Sequence, residues 1–424
     1  MLNEIEYCHL NECLYSTTLQ NGLKIYLLPK PDFKEMSALL EVEFGSIDTI
    51  FTDNQEVVKD PPSGIAHFLE HKLFEMSDGQ DAVLKFSSYS ADVNAFTGFE
   101  KTAFYFSSLG GNKEALDLLQ CFVMSADFNH ESIMREKKII AQELDMYLDD
   151  PDYRLYNEIL KNLYPNTKLS DDVAGDQDSL SRITSKQLYD NHQYYYKTNN
   201  MTLFLVGDFN VEEVLIQIEK SQTGFTKKLT KVYKNDLKLT KVVKRKSLNF
   251  DVVQPKLALG FRLPSFKGQS LLRQKICLRL FLSLLFGWTS RRYQKWYDRQ
   301  LIDDSFGIEV EVSRRFQFVI LSMDSQQPIK LANQVRQVLK DFTKSTDFTS
   351  EHLELLKREL YGDFIRSLDS IEDLIFQLAS YQSDNESYLD FPKILEGITL
   401  ETIQKVGQTF IEQMETSEFT IFPN

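Results

Sequence analysis

Two histidines and a glutamate stand within five residues of one another, at His67, Glu70 and His71, in the run Gly64-Ile65-Ala66-His67-Phe68-Leu69-Glu70-His71. On a helix His67 and His71 are one turn apart, so both imidazoles leave the same face. Their nitrogens can then reach a single Zn²⁺ at about 2.0–2.1 Å. Glu70 lies on an adjoining face, within reach of a metal-bound water. A carboxylate there can take a proton from that water and later pass it to a leaving amine. Pro61, Pro62 and Ser63 precede the run, which predicts a helix start with Ser63 as N-cap. Phe68 and Leu69 make the helix half buried, a setting in which idle histidines would be costly.

A catalytic zinc takes three protein ligands and keeps one position for water. The remaining histidines, His9, His130, His192 and His352, have no comparable setting, so the third ligand is expected to be a carboxylate. Glu136 and Glu143 are seven residues apart on one helical pattern and share nearly the same face. Spacing alone leaves the choice between them open. Cys8, His9 and Cys13 form a weaker cluster that no second Cys/His pair completes.

These residues must be held by a scaffold, and the chain carries its scaffold twice. KIIAQELDMYLDD (138–150) is echoed by ELLKRELYGDFIR (354–366), and HFLEHKLF (67–74) by LFLSLLFG (280–287), in the same order. The helical stretch after Ile183-Thr184 runs into an apolar strand at 201–206. The stretch after Ile398-Thr399 runs into another at 419–422. A period near 210 residues is far longer than a solenoid unit and implies duplicated domains. Strands are expected at 23–28, 39–44 and 102–107, and helices at 65–76, 113–124, 132–148 and 152–163. No Gly-rich βαβ fingerprint occurs, so the fold class is α+β rather than a doubly wound sheet. The expected domains are 1–224, with the metal motif, and 247–424, without it. The joining linker, 225–246, carries nine Lys or Arg against the single acid Asp236.

Composition narrows the partners. Of 424 residues 42% are hydrophobic and 26% charged, the proportions of a globular protein. With 62 acidic and 48 basic residues the net charge is -14, which argues against generic nucleic-acid binding. The N-terminus lacks the pattern of a secretory or mitochondrial leader. The most apolar stretch, 276–288, is too short to span a bilayer and reads as a buried helix ending in a turn. Cys121 and Cys277 are expected to be small core residues. A cytoplasmic chain without membrane segments is the expectation.

H-x-x-E-H reverses the H-E-x-x-H order of thermolysin-type zinc sites and is the inverzincin signature. His67 to His71, followed by Leu73-Phe74, resembles the active-site helix of the insulinase (pitrilysin) family of zinc peptidases. That family includes the mitochondrial processing peptidases and their bacterial relatives. The resemblance continues through Asn94-Ala95-Phe96-Thr97, Glu100, Thr102, Glu136 to Glu143 and Tyr195 to Asp208. It implies two homologous α+β domains of the processing-peptidase (LuxS-like) metallohydrolase fold, closing as a clamshell. One Zn²⁺ would be held by His67, His71 and Glu143. Glu70 would act as general base, and Glu136 would be a supporting carboxylate of the catalytic set. Asn94, Ala95, Phe96 and Thr97 would bind an extended peptide as an added strand.

The second half departs from the family pattern. His67, Glu70 and His71 correspond to Leu280, Ser283 and Leu284, so no second metal site is expected. The Arg and Tyr that the family's second domain supplies to the substrate carbonyl fall at Tyr297 and Asp304. Arg291, Arg292, Arg299, Tyr293 and Tyr297 are near but wrongly spaced. The wording around the motif resembles Gram-positive bacterial members, some of which pair a zinc-bearing subunit with a paralogue lacking zinc. The expectation is therefore a bacterial zinc metalloendopeptidase hydrolysing unfolded peptides, completed by such a paralogue in a heterodimer or by a second copy. A non-catalytic peptide-binding or assembly subunit of the same fold is the alternative.

Overall fold

The computed structural model describes residues 2–48, 52–53, 56–57, 61–76, 79–110, 112–225, 234, 236–382 and 386–424. The strands run in chain order β1 (Asn3–Tyr7), β2 (Glu12–Thr18), β3 (Lys24–Pro29), β4 (Glu35–Val42), the short pair β5 (Thr52–Asp53) and β6 (Glu56–Val57), β7 (Ala91–Thr97), β8 (Thr102–Leu109) and β9 (Met201–Gly207). They continue as β10 (Arg245–Phe250), β11 (Lys256–Leu263), β12 (Gly307–Val312), β13 (Gln317–Asp324) and β14 (Glu415–Pro423). Two compact units result. One contains residues 1–145, 172–235 and 367–383, and the other 146–171, 236–366 and 384–424.

The first unit is built on a seven-stranded sheet, β1-β2-β3-β9-β4-β8-β7, antiparallel except for the β3/β9 pair. All seven residues of β9 are buried, as a central strand with helices on its faces requires. The second unit holds a five-stranded sheet, β10-β14-β11-β13-β12, with its one parallel pair at β10/β14. Strand for strand it repeats β3-β9-β4-β8-β7, parallel pair included. The fold is α+β with two sheet domains.

The units are not contiguous along the chain. Helix Pro151–Leu163 comes from the first half of the sequence yet packs on β11 and β14 of the second unit. There Gly260 leaves room for it, since a Cβ at that position would stand 2.8 Å from both Ile159 and Leu163 side chains. Helix Ile371–Gln382 comes from the second half and packs on β4 and β9 of the first unit. In each half it is the helix after the long helix, His130–Asp149 or Ser350–Ser367, that changes unit. The stretch 225–246 contains the boundary, at 235/236. It also holds the start of β10 at Arg245, and most of its remainder (226–233 and 235) lies outside the described residues.

Two local expectations are corrected. The motif helix spans Ile65–Leu73, and its N-cap is Gly64, at φ 85, with no side-chain cap bond. Ser63 therefore lies one residue too early to cap it. The glycine is demanded by contact, because a Cβ there would stand 2.3 Å from the Ala174 carbonyl oxygen. Cys121 is exposed. Helix Lys113–Met124 buries Leu118, Leu119 and Phe122, which turns Cys121, like Glu114, to the outer face. Cys277 is buried as expected. Residues 276–288 do form the end of a helix, Leu271–Phe286, that stops at Gly287. No described helix is long and apolar enough to cross a membrane.

Candidate metal centre

The motif helix buries Phe68 and Leu69 completely and presents His67, Glu70 and His71 along its other flank. The His67 and His71 ring centroids are 4.6 Å apart, as one helical turn dictates. Across from them runs helix His130–Asp149, with Glu136 and Glu143 on the facing side. Glu143 Oε1 is 3.7 Å from His67 Nε2, and its Oε2 is 3.4 Å from His71 Nε2. Glu136 Oε1 meets the other nitrogen of His71, Nδ1, at 2.9 Å. Among the described residues, His67, His71 and Glu143 form the one group of three potential ligands whose donor atoms all lie within 4.8 Å. Ligand atoms around a tetrahedral zinc are about 3.3–3.6 Å apart; the His71–Glu143 separation falls in that range and the His67–Glu143 separation about 0.1 Å above it.

The chemistry of the donor set fits as well. A neutral imidazole that donates Nδ1–H to Glu136 offers its Nε2 lone pair to a cation, the usual arrangement for a ligating histidine. Burial, with the nearby His71 charge, pulls His67 down to about 4, so it is neutral near pH 7. Burial also acts against a charged His71, but the hydrogen bond and charge of Glu136, with Glu70 and Glu143, hold it above its ordinary value. His67 Nδ1 is buried and meets no protein partner among the described residues. Two imidazoles facing three carboxylates make a strongly negative pocket suited to a divalent cation.

Glu70 is buried, which raises its carboxyl above the ordinary value, with Glu143 adding to the rise and the Thr97 bond opposing it. Thr97 Oγ1 donates to Glu70 Oε2 at 2.5 Å. It lies 3.4 Å from Thr102 Oγ1, which in turn donates to the Phe44 carbonyl at 2.8 Å. The residue expected to touch substrate thus touches the expected base. Its neighbours are differently placed. Among the described strands β7 lies at the sheet edge, with β8 as its neighbour. Asn94 lies opposite Tyr105 on β8, and its side-chain oxygen accepts from the Ala95 N–H at 2.8 Å. The exposed Phe96 sits 5.8 Å from the Phe376 ring. Beside the ligands opens a cleft of about 620 Å³ whose lining includes Glu70, His71, Phe74, Val83, Val93 and Ile139.

Two supports were missed by sequence reasoning. The segment after Ala174 touches both ligand-bearing helices. Ala174 packs on Gly64, Gln177 donates to the Ala141 carbonyl and Asp145, and Lys137 donates to the Ser181 carbonyl. The second support joins Lys72, Glu75, Ser132 and Arg135. A lysine next to Phe68 and Leu69 on a half-buried helix, with Glu three residues on, was the available signal.

In the second unit Leu280 and Leu284 are buried, and Ser283 stands between them. Tyr297 is half exposed and stacks on Tyr293. Cys8 is exposed, and the cluster with His9 and Cys13 brings no ligand set together among the described residues.

Comparison with known proteins gives two family matches. Residues 58–177 match the profile "Insulinase (Peptidase family M16)", and residues 182–360 match "Peptidase M16 inactive domain". The chain is 35% identical over 429 residues to the uncharacterized zinc protease YmfH of Bacillus subtilis, covering 99% of this chain and 98% of the relative. It is 24% identical to zinc protease PqqE of Helicobacter pylori, over 96% of this chain and 92% of that protein. Among solved structures, an M16-like peptidase from Alicyclobacillus acidocaldarius superposes with a TM-score of 0.90 at 29% identity, over 99% of this chain and all of the other.

Proposed function

Because this chain belongs to the insulinase family, peptidase family M16, we propose that it is a zinc metalloendopeptidase acting on unfolded peptides. The observation that carries this reading is the convergence of His67, His71 and Glu143 beside a buried Glu70. In this proposal those three residues hold one zinc ion, which when bound supplies a Lewis acid for the scissile carbonyl and acidifies a water. Glu136 fixes the tautomer of His71 through Nδ1. Glu70 takes the proton of the attacking water and delivers it to the leaving nitrogen. Its raised basicity suits the first transfer. The Thr97 hydroxyl holds one Glu70 oxygen and leaves the other for the proton.

The edge strand β7, with Asn94 to Thr97, receives the substrate as an added strand. Only an extended chain can pair this way, hence unfolded peptides. Tyr297 and Asp304 stand where the family pattern has its Arg and Tyr, so a paralogous subunit without the zinc motif provides that pair in a heterodimer. The matching "inactive domain" profile spans 182–360 and excludes every residue of the metal cluster, so it gives no support to an inactive protein.

The test is a quenched peptide library assayed with the purified chain, with and without the paralogue. Glu70→Gln is expected to keep one zinc per chain and lose about 10²–10⁴-fold in turnover. Full turnover by that variant, or a parent protein without stoichiometric zinc, would sink the reading. Zinc without turnover in the reconstituted complex would leave the assembly-subunit alternative in its place.

A further inference from the structure

Lys72 follows the second histidine of the motif and is buried to the end of its side chain. Its ammonium lies 3.0 Å from Glu75 Oε2. The same carboxylate oxygen accepts from Ser132 Oγ at 2.5 Å, and Arg135 Nη2 reaches both oxygens of Glu75, at 3.2 and 3.3 Å. Glu75 stands just past the end of the motif helix, where its N–H bonds the Lys72 carbonyl and it bridges to Asp81. Ser132 is buried in the first turn of helix His130–Asp149. One carboxylate therefore ties the helix of His67 and His71 to the helix of Glu136 and Glu143.

We propose that Glu75 is a positioning residue for the metal centre, a clamp that sets the register of the two helices. Ser132, Glu136 and Glu143 follow one another at four and seven residues, so they lie along one face. From Ser132 to Glu143 the helix rises about 16 Å, and a tilt of one degree at the clamp moves Glu143 by about 0.3 Å. Metal–ligand distances tolerate about 0.2 Å. Glu136 on His71 is a second pin between the helices, but it belongs to the site itself. Glu75 lies outside it and joins the two helices directly through side chains, whereas the segment after Ala174 touches each of them from a third element. Lys72 keeps Glu75 charged and in place, because a fully buried ammonium has a large cost unless it is paired. The inference rests on the zinc reading above and deepens it by naming what sets the ligand geometry.

The experiment measures zinc affinity by competition with a chromogenic chelator, together with the thermal transition of each zinc-free protein. The proteins are the full-length parent, Glu75→Ala, Lys72→Met with Glu75→Ala, and Lys72→Met with Glu75→Gln. Removing Lys72 together with Glu75 avoids an unpaired buried charge and keeps the fold testable. Both alanine variants are expected to bind zinc about 10–100-fold more weakly. The Met/Gln variant, which can still accept from Ser132, is expected to recover most of the affinity. Parent-like affinity in Lys72→Met/Glu75→Ala overturns the clamp, even if Glu75→Ala alone is weak, for the buried charge would then explain the effect. A parent that binds no zinc would instead remove the metal reading itself.

Discussion

Thr97 touches Glu70 where peptide contact was expected of it. Its hydroxyl, at 2.5 Å from a buried carboxylate, is a charge-assisted bond worth about 1.5–3 kcal/mol. Thr97→Val preserves shape and removes it. The expected result, read in steady-state kinetics, is a fall of about tenfold to a hundredfold in kcat with zinc content unchanged; Thr97→Ser should retain most of the rate. His192 offers a titration away from the site. Its Nε2 bonds the Val123 carbonyl at 3.1 Å, and its buried Nδ1 meets no acceptor among the described residues. Burial lowers it to about 4 from the ordinary 6.5. The unfolded chain then binds the proton more readily, so stability is full above pH 6.5 and is lost as pH falls from 6.5 toward 4. The loss reaches about 3 kcal/mol. In His192→Gln, urea midpoints at pH 7 and pH 5 should differ by less than in the parent.

Elements decide where those residues point. The motif helix starts at a left-handed glycine pressed against Ala174, and that contact orients the flank carrying His67 and His71. Gly64→Ala adds both a contact at 2.3 Å and a backbone strain of about 1–3 kcal/mol. It is expected to lower the urea midpoint and reduce bound zinc together; an unchanged zinc content in a folded protein would show that the helix start does not orient the ligands. Most elements were legible beforehand. The period of Lys113–Met124 gave its limits directly, and the ligand helix was found within two residues at its start. What sequence misread were faces and caps. Cys121 sits among apolar residues in sequence but on the outer arc in space, and Ser63 resembles a cap only until the close approach of Ala174 is known. Such misreadings share a cause, since exposure and entry angle depend on neighbours far along the chain.

At the scale of the molecule the exchange of helices has a consequence for cutting the chain. Residues 1–224 expressed alone would lack Ile371–Gln382, which covers β4 and β9, and residues 247–424 alone would lack Pro151–Leu163 on β11 and β14. Each fragment would expose a strip of buried sheet, a strong aggregation risk. Separate expression is expected to give insoluble or molten fragments by size exclusion and near-ultraviolet circular dichroism. Two soluble, cooperatively folding halves would contradict this.

The sequence by itself determined the chemistry within one helical turn. His67, Glu70 and His71 owe their relation to the 3.6-residue period, which needs no tertiary contact to be read. The duplication and the α+β class were equally visible, because repeats and apolar periods are local patterns. Spacing could not choose between Glu136 and Glu143, two turns apart on one face. The tertiary structure gave Glu143 to both Nε2 atoms and Glu136 to Nδ1 of His71. It alone joined Thr97 to Glu70, and Glu75 to Ser132 across 57 residues. Only packing decides such pairs, because the helices that carry them can slide and turn against each other until side chains lock the register.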